Sequence, residues 1–297
     1  MFNVIKHKNI FIGFSLILIV AAIIAILVFG FRPGIDFTGG TLWQFRFNGD
    51  SATVPALEDF FRASAGLESA SINTDSDQKI FLLRTNEMNE SDHQRISVLL
   101  EASFPGMEEL RFESIGPTIG SELRHKAVLA FILVLVGISL YIAFAFRKVF
   151  EPVSSWKYGF VTLITLFHDA LIPAGLFSVL GYWKGIELDS NFIVALLVIM
   201  GFSVHDTIVV FDRIRENLSI QKNKNKGLPE IINASVNQTF ARSINTSLTL
   251  ILVLLALYFL GSATLEYFVL IILIGTVIGT YSSIFIASPL LTFFTKK

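Results

Sequence analysis

The chain has 297 residues, of which 53% are hydrophobic and 16% are charged, and its formal net charge is −1. A soluble globular domain carries roughly 25% charged residues, so much of this chain is expected to face something other than water, and the near-neutral charge gives no general attraction to nucleic acid. The sequence contains no cysteine, which excludes a disulfide framework, a thiolate nucleophile and a cysteine metal site.

Six apolar stretches are long enough to cross a membrane as helices, since a bilayer core of ~30 Å needs about 20 mostly apolar residues per helix. The first follows two lysines, but its apolar run is longer than that of a signal peptide and no A-x-A-like site follows, so we predict an uncleaved span. The predicted fold class is a polytopic α-helical membrane protein. The predicted spans are Ile10–Phe31, Ala127–Phe146, Gly159–Leu180, Phe192–Phe211, Ser243–Leu260 and Leu265–Leu291.

The basic residues in the connections predict the orientation of these spans, because lysine and arginine are retained on the cytoplasmic side. On one side, the short connection 181–191 contains only Lys184 and the connection 261–264 contains no basic residue. Both termini are therefore predicted to be cytoplasmic, and segment 32–123 is predicted to lie outside. The basic residues of the cytoplasmic connections and termini are Lys6, Lys8, Arg147, Lys148, Lys157, Arg213, Arg215, Lys222, Lys224, Lys226, Lys296 and Lys297.

Segment 32–123 has the composition of a soluble domain between the transmembrane parts 1–31 and 124–297. Alternation over Thr41–Phe47, with three aromatic residues on one face, predicts a half-buried strand. The order βαββαβ predicts a small ferredoxin-like α+β domain, whose acidic excess fits either a solvated surface or one that handles basic or unfolded polypeptide. The other predicted elements are a helix over Thr53–Ala65, strands over Ser69–Thr74 and Lys79–Thr85 joined by a turn at Asp75–Gln78, a helix from a capping box at Ser91–Gln94 to Ser103, and a strand over Glu109–Ser114.

Asp206 lies inside the fourth predicted span, about six residues from its end. At 1.5 Å per residue this is ~9 Å inside the bilayer, too deep for a short aspartate side chain to reach water. Ionisable groups at such depth are expensive and usually face the interior of a bundle, where they serve a function. The carboxyl either takes up and releases a proton or forms a neutral hydrogen bond that packs helices. Ser203 lies on the same helical face.

Arg242 opens the fifth predicted span and is the candidate cation for Asp206. The polar residues Asn245, Thr246 and Thr249 continue its helical face, and such a stripe favours a water-lined seam over lipid. In the alternative interpretation, the Arg242 side chain extends to the cytoplasmic interface and has no role in a proton site.

A second histidine–aspartate pair, His168 and Asp169, lies near the middle of the third predicted span. Neighbouring residues point about 100° apart on a helix, so the two side chains are not expected to face one partner. Asp169 is a candidate relay partner, and His168 is either a relay group or a packing residue. The spacing provides no third metal ligand, and the sequence has neither a P-loop nor a nucleophile elbow. We therefore predict no metal, no cofactor and no enzymatic activity.

Three segments carry a family resemblance: Gly34–Thr41 after the first span, Gly201–Asn217 at the end of the fourth, and Asn237–Thr249 in the fifth. They resemble the SecF family of smaller membrane subunits in the bacterial SecDF accessory complex for protein translocation. The similarity extends along the whole chain in the same order. The family in turn resembles half of a resistance-nodulation-division transporter, with six spans in each half.

The resemblance implies a bacterial inner-membrane subunit that works with SecD, the SecYEG channel and preproteins, and that is driven by protons. It implies that Asp206 and Arg242 belong to a proton-conducting cluster completed by an acidic residue of SecD. The family usually has asparagine where this chain has His205, which would either tune the proton affinity of Asp206 or replace a hydrogen bond. The residues implied to be structural, turning the chain from the membrane into the outer domain, are Gly34, Asp36, Gly39 and Gly40.

Two other functions fit the same sequence pattern. A half-transporter that exports lipids or small molecules would have a substrate pocket within its spans and no dependence on the Sec channel. A passive assembly scaffold would use Asp206 and Arg242 only for packing.

Overall fold

A computed structural model describes residues 3–47, 52–63, 65–67, 69–75, 80–147, 154–221 and 227–294. The chain forms two compact units, Met1–Arg32 with Leu129–Lys297, and Pro33–Val128. A π-helical turn over Ser283–Ala287 joins the last two helices. The helices are α1 (Lys8–Phe29), α2 (Ile35–Thr38), α3 (Val54–Ala63), α4 (Glu90–Ser103), α5 (Pro117–Ala145), α6 (Ser155–Lys184), α7 (Ser190–Gln221), α8 (Leu228–Leu260), α9 (Glu266–Ser282) and α10 (Ser288–Leu290), and the strands are β1 (Gly40–Phe47), β2 (Ser71–Asp75), β3 (Ile80–Thr85) and β4 (Met107–Ile115).

Six helices in the described part of the chain are long and apolar enough to cross a membrane, which agrees in number with the six predicted spans. Helices α6, α7 and the span that begins with α9 are half buried or more, whereas α1, α5 and α8 are mostly exposed. The exposed side chains of these three helices are largely apolar, as lipid contact requires. The centre of this unit is therefore built from α6, α7 and α9.

Close contact between α7 and α9 depends on two glycines of α9. A Cβ atom added at Gly275 would lie 2.3 Å from Cδ1 of Ile199, and one added at Gly279 would lie 3.1 Å from Cβ of Ser203. Helices in membranes commonly use such small residues four apart to bring their backbones together. We call this contact the glycine seam. It brings the C-terminal end of α9 against the part of α7 that contains Asp206.

The Pro33–Val128 unit contains one antiparallel sheet in the order β2-β3-β1-β4. In β1, Trp43, Phe45 and Phe47 alternate with more exposed residues and are buried against α3 and α4, because successive side chains of a strand point to opposite faces. The elements follow in the predicted order of strand, helix, strand, strand, helix and strand. Residues 76–78 of the predicted turn lie outside the described residues.

The capping-box prediction at Ser91–Gln94 is wrong by two residues. Helix α4 begins at Glu90, and the side chain of Asn89 accepts a hydrogen bond of 2.8 Å from the backbone N–H of Asp92. Asparagine is as effective a helix cap as serine, so the earlier polar residue begins the helix.

The connection between the fourth and fifth predicted spans is also largely helical. Helix α7 continues to Gln221 and α8 begins at Leu228, while 222–226 lie outside the described residues. Charged side chains end a hydrophobic span but not a helix, and pairs three residues apart, such as Arg215 with Asp212, stabilise the extension. The side-chain amide of Asn217 joins the two extensions through hydrogen bonds to α8.

Candidate functional site

Asp206 is buried within the unit formed by Met1–Arg32 and Leu129–Lys297, with 2% of its surface exposed. Its carboxyl accepts a hydrogen bond from the hydroxyl of Ser283 in the π-helical turn. Ser243 of α8 lies close to the same carboxyl, but its buried hydroxyl is outside hydrogen-bonding geometry. In the described residues, the carboxyl of Asp206 therefore contacts neutral hydroxyl groups and forms no ion pair.

Asp169 of α6 is fully buried and has three hydrogen-bond partners. It accepts from the hydroxyl of Ser203 in α7 and, at 2.6 Å, from the hydroxyl of Ser282, and Nδ1 of His168 lies 2.7 Å from its other oxygen. The other ring nitrogen of His168 lies 3.1 Å from the hydroxyl of Ser15 in α1. His168 thus faces α1, while Asp169 faces α7 and α9.

The two carboxyls and three serines link α6, α7 and the end of α9 into a ring, which we call the carboxyl–serine ring. Asp169 joins α6 to α7 through Ser203 and to α9 through Ser282, and Asp206 joins α7 to the π-helical turn through Ser283. Each of the three elements is therefore held to the other two by a carboxyl–hydroxyl contact.

Three of the other candidate residues lie outside this ring. The side chain of Arg242 is exposed on α8, and in the described residues it forms no ion pair with Asp206. Its neighbour Ser243 is on the buried face instead. His205 is exposed although it precedes Asp206 directly, and Thr246 is half-buried on α8. The structure therefore does not bring the proposed cation to the carboxyl within this chain.

The glycine motif lies in the Pro33–Val128 unit, where it brings α2 close to the start of α5. Gly39 has a φ of +76°, and a Cβ atom there would lie 2.7 Å from Cα of Pro117. The carbonyl of Gly34 accepts the backbone N–H of Phe37 in the first turn of α2. Gly40 also has a positive φ, of +119°, and Asp36 is half-buried in the first turn of α2.

Ser15, Ser243, Ser282 and Ser283 were not predicted as site residues. Serine is inexpensive inside a membrane because its hydroxyl can bond to a carbonyl of its own helix, so these residues are not conspicuous in a hydropathy profile. The signal that could have found them is the run of small and polar residues in the sixth span. That run comprises Gly275, Thr276, Gly279, Thr280, Ser282 and Ser283.

The chemistry available to the ring is the binding and release of protons. In the described residues, no group of three or more histidine, aspartate and glutamate side chains is placed to hold a metal ion. Hydroxyl groups both donate and accept hydrogen bonds, so they can contact a carboxyl in either protonation state.

Two family models match the chain, and between them they cover most of it. The model described as "Protein export membrane protein SecD/SecF, C-terminal" matches residues 95–297, and the SecD/SecF GG motif matches residues 24–50. This chain belongs to the SecD/SecF family of protein-export membrane proteins. The GG-motif match covers Gly34, Gly39 and Gly40, and the C-terminal match covers both buried carboxyls, Asp169 and Asp206.

Full-length relatives support the same assignment. SecF of Thermobaculum terrenum, a protein translocase subunit, is 42% identical over all of this chain and 95% of its own length. SecF of Anaerolinea thermophila is 36% identical over 97% of this chain and 92% of its own. The crystal structure of Thermus thermophilus SecDF, described as a translocon-associated membrane protein, is 34% identical with a TM-score of 0.81. This SecF-family chain aligns over 98% of its length but spans only 38% of that SecDF chain.

Proposed function

We propose that this chain is an accessory subunit of Sec protein translocation that is coupled to the proton-motive force. It works with SecD in the bacterial inner membrane and assists the movement of preproteins through the SecYEG channel from the periplasmic side. The names of the full-length relatives support a role in protein translocation. The observation that carries the proton coupling is the burial of Asp206 against neutral hydroxyls.

The proposed topology has both termini in the cytoplasm and the Pro33–Val128 unit in the periplasm. An even number of spans puts the termini on the same side, and the basic residues of the connections favour the cytoplasm for that side. We assign the periplasmic unit to the ferredoxin-like class, since its strand order β2-β3-β1-β4 and its two helix-containing connections are typical of that class.

The energetic case for proton exchange begins with the cost of a buried charge. An ionised aspartate at the centre of a span costs about 2.5–3.5 kcal/mol or more, and the hydroxyl of Ser283 offsets only part of this cost. A proton that crosses a potential of 100 mV releases ~2.3 kcal/mol, enough to shift a two-state equilibrium roughly tens of fold. Protonation of Asp206 is therefore able to select between two arrangements of α7 and α9.

Arg242 takes part through the face of α8 that is exposed in this chain. A charged residue followed by Asn245, Thr246 and Thr249 is poorly suited to lipid, so we assign this face to the contact with SecD. There Arg242 meets the acidic residue that SecD contributes, and helix movement brings the cation alternately nearer to and farther from Asp206. Four further residues tune the proton affinity of Asp206 or relay its proton: Ser203, His168, Asp169 and the exposed His205.

Asp206→Asn tests the proposal, with Asp189→Asn as a matched control in the same helix. Asp189 caps the start of α7 by accepting the N–H of Phe192 at 2.9 Å, and asparagine caps a helix equally well. With SecD and SecYEG in vesicles, we expect Asp206→Asn to abolish the gradient-dependent part of preprotein translocation and Asp189→Asn to retain it. Gradient-dependent translocation that survives Asp206→Asn would refute the coupling and favour a passive scaffold.

A crosslinking experiment separates protein translocation from the export of small molecules. A photoreactive group on the exposed surface of the Pro33–Val128 unit is expected to capture a stalled preprotein while the complex is active. If no crosslink forms under those conditions, a half-transporter for lipids or small molecules becomes the better explanation.

A further inference from the structure

We propose that Ser282 and Ser283, which we call the serine pair, couple the two buried carboxyls of the carboxyl–serine ring. In this proposal Asp169 is a second proton-binding group, and its protonation depends on that of Asp206 through the serine pair. The inference rests on the proposed function, because it takes Asp206 to be the group that first exchanges the proton. Beyond the proposed function, it identifies Ser282 and Ser283 as the residues that pass a change in the protonation of Asp206 to α6.

The serine pair is placed to reach two helices at once. Consecutive residues point about 100° apart around a helix, so Ser282 is directed to Asp169 in α6 and Ser283 to Asp206 in α7. Since the two serines share one peptide bond, a displacement of Ser283 also displaces Ser282. A backbone displacement at one serine is therefore passed to the other through a single rigid peptide unit.

Each hydroxyl of the serine pair has two acceptors but only one hydrogen. The hydroxyl of Ser282 lies within hydrogen-bonding distance of Asp169 and, at 3.0 Å, of the carbonyl of Gly279. The hydroxyl of Ser283 likewise reaches Asp206 and, at 3.0 Å, the carbonyl of Thr280. A serine can donate only one of these bonds at a time. Each serine is thus a two-position switch between a carboxylate and its own helix.

The π-helical turn offers the alternative hydrogen-bond register that such a switch can use. The turn begins at Ser283, and the carbonyl of Ser283 accepts the hydroxyl of Ser288 at 3.1 Å. Single π-helical turns within α-helices are frequent at functional sites because they alter the regular hydrogen-bond register. A change between π and α register would rotate the residues of the turn relative to α9 and so move Ser283 relative to Asp206.

The ionisable surroundings of Asp169 identify what else can influence its protonation. On its own helix it is bonded to His168, whose other nitrogen reaches Ser15 of α1. From α7 it accepts a hydrogen bond from Ser203, and Asp206 of the same helix bonds the other member of the serine pair. On α9 the residue before Ser282 is the titratable Tyr281, which bonds the carbonyl of Phe11 in α1. His205 and Arg242 are exposed and lie outside the ring. Asp206 is therefore the acidic group that the serine pair links to Asp169.

Infrared titration of the full chain in lipid vesicles measures this coupling. The carboxylic-acid C=O band of Asp169 is assigned by its loss in Asp169→Asn, and its pH midpoint is then compared between the wild-type chain and Asp206→Asn. Groups that are coupled titrate as a pair, so we expect the midpoint to move by about one pH unit or more. An unchanged midpoint would overturn the coupling even if Asp206→Asn abolishes gradient-dependent translocation, which separates this inference from the proposed function.

The same comparison in Ser282→Ala and Ser283→Ala tests the role of the serines. We expect the effect of Asp206→Asn on the Asp169 midpoint to fall at least about threefold in each background. Ser139→Ala is the control and should preserve the full effect, since among the described residues the hydroxyl of Ser139 bonds only the carbonyl of Leu135 in its own helix. A full effect that persists without either serine would assign the coupling to direct repulsion between the carboxyls and refute the role of the serine pair. Circular dichroism verifies that each variant is folded.

Discussion

The glycine seam determines how closely α9 approaches α7, and Gly275→Ala tests its contribution to stability. The added Cβ would lie 2.3 Å from Cδ1 and 2.4 Å from Cγ1 of Ile199, whereas carbon atoms in favourable contact are about 3.5–4.0 Å apart. Ile199 is fully buried, so its side chain has little room to move. Overpacking of this kind costs about 1–3 kcal/mol.

Gly137→Ala in α5 is the matched control for this prediction. A Cβ atom at Gly137 would meet no other atom within 4 Å. Both substitutions gain about 1 kcal/mol of helix propensity, because alanine is favoured over glycine in helices. The difference between the two variants therefore isolates the steric overlap, and we expect Gly275→Ala to be less stable than Gly137→Ala by about 1–3 kcal/mol.

Reversible unfolding in detergent micelles, followed by the helical circular dichroism signal, measures this difference. A double-mutant cycle with Ile199→Ala then identifies the atoms responsible. On its own, Ile199→Ala is expected to cost about 2–5 kcal/mol, but in the Gly275→Ala background its cost should fall by about 0.5–3 kcal/mol. Equal stability of Gly275→Ala and Gly137→Ala, or an additive cycle, would refute the close approach of α7 and α9 at this position.

Two further substitutions test the Pro33–Val128 unit and the connection between α7 and α8. Gly39→Ala must place a Cβ 2.7 Å from the backbone of Pro117, whereas Gly66→Ala has a similar positive φ and meets nothing within 4 Å. Alanine at a positive φ costs about 1–3 kcal/mol in both variants, so denaturant titration is expected to show a larger loss of unfolding free energy for Gly39→Ala. Equal losses would contradict this packing. Asn217→Ala removes a buried amide that donates to two acceptors on α8, and it should cost about 1–3 kcal/mol of unfolding free energy, measured by thermal unfolding. Ser219→Ala is the control and should cost almost nothing, because its exposed hydroxyl bonds its own helix. Similar melting temperatures for the two variants would contradict the role of Asn217 in joining α7 to α8.

The sequence predicts the elements of this fold better than it predicts their ends. The strand containing Trp43, Phe45 and Phe47 is evident because burial alternates with a period of two, and the six spans are evident because lipid contact demands long apolar runs. The start of α4 was misplaced because Asn89 and Ser91 are both good caps by residue type, and the choice between them depends on backbone geometry. The helical extension to Gln221 was missed because hydropathy reports the membrane boundary and not the end of a helix.

Of the candidate site, the sequence predicts only the residues whose burial in a membrane is energetically costly. Asp169 and Asp206 are conspicuous in the sequence because a carboxyl in an apolar helix requires an explanation. The hydroxyls that bind them are not conspicuous, and the assignment of Ser203 to Asp169 rather than to its helical neighbour Asp206 arises from packing between helices. Nor does any local pattern predict a π-helical turn, which is a change in hydrogen-bond register.

The hydroxyl partners of the buried carboxyls bear directly on how a proton could be exchanged there. An arginine can only donate hydrogen bonds, so a permanent Arg242–Asp206 pair would favour the carboxylate and oppose its protonation. A serine hydroxyl donates to a carboxylate and accepts from a carboxylic acid, so Ser283 can remain bonded to Asp206 in both states. Arg242 is exposed in this arrangement, so under the proposed function the carboxyl of Asp206 can take up a proton without a competing ion pair. A cation that approaches only after a helix movement would then expel the proton, and such alternation is what a proton-driven cycle requires.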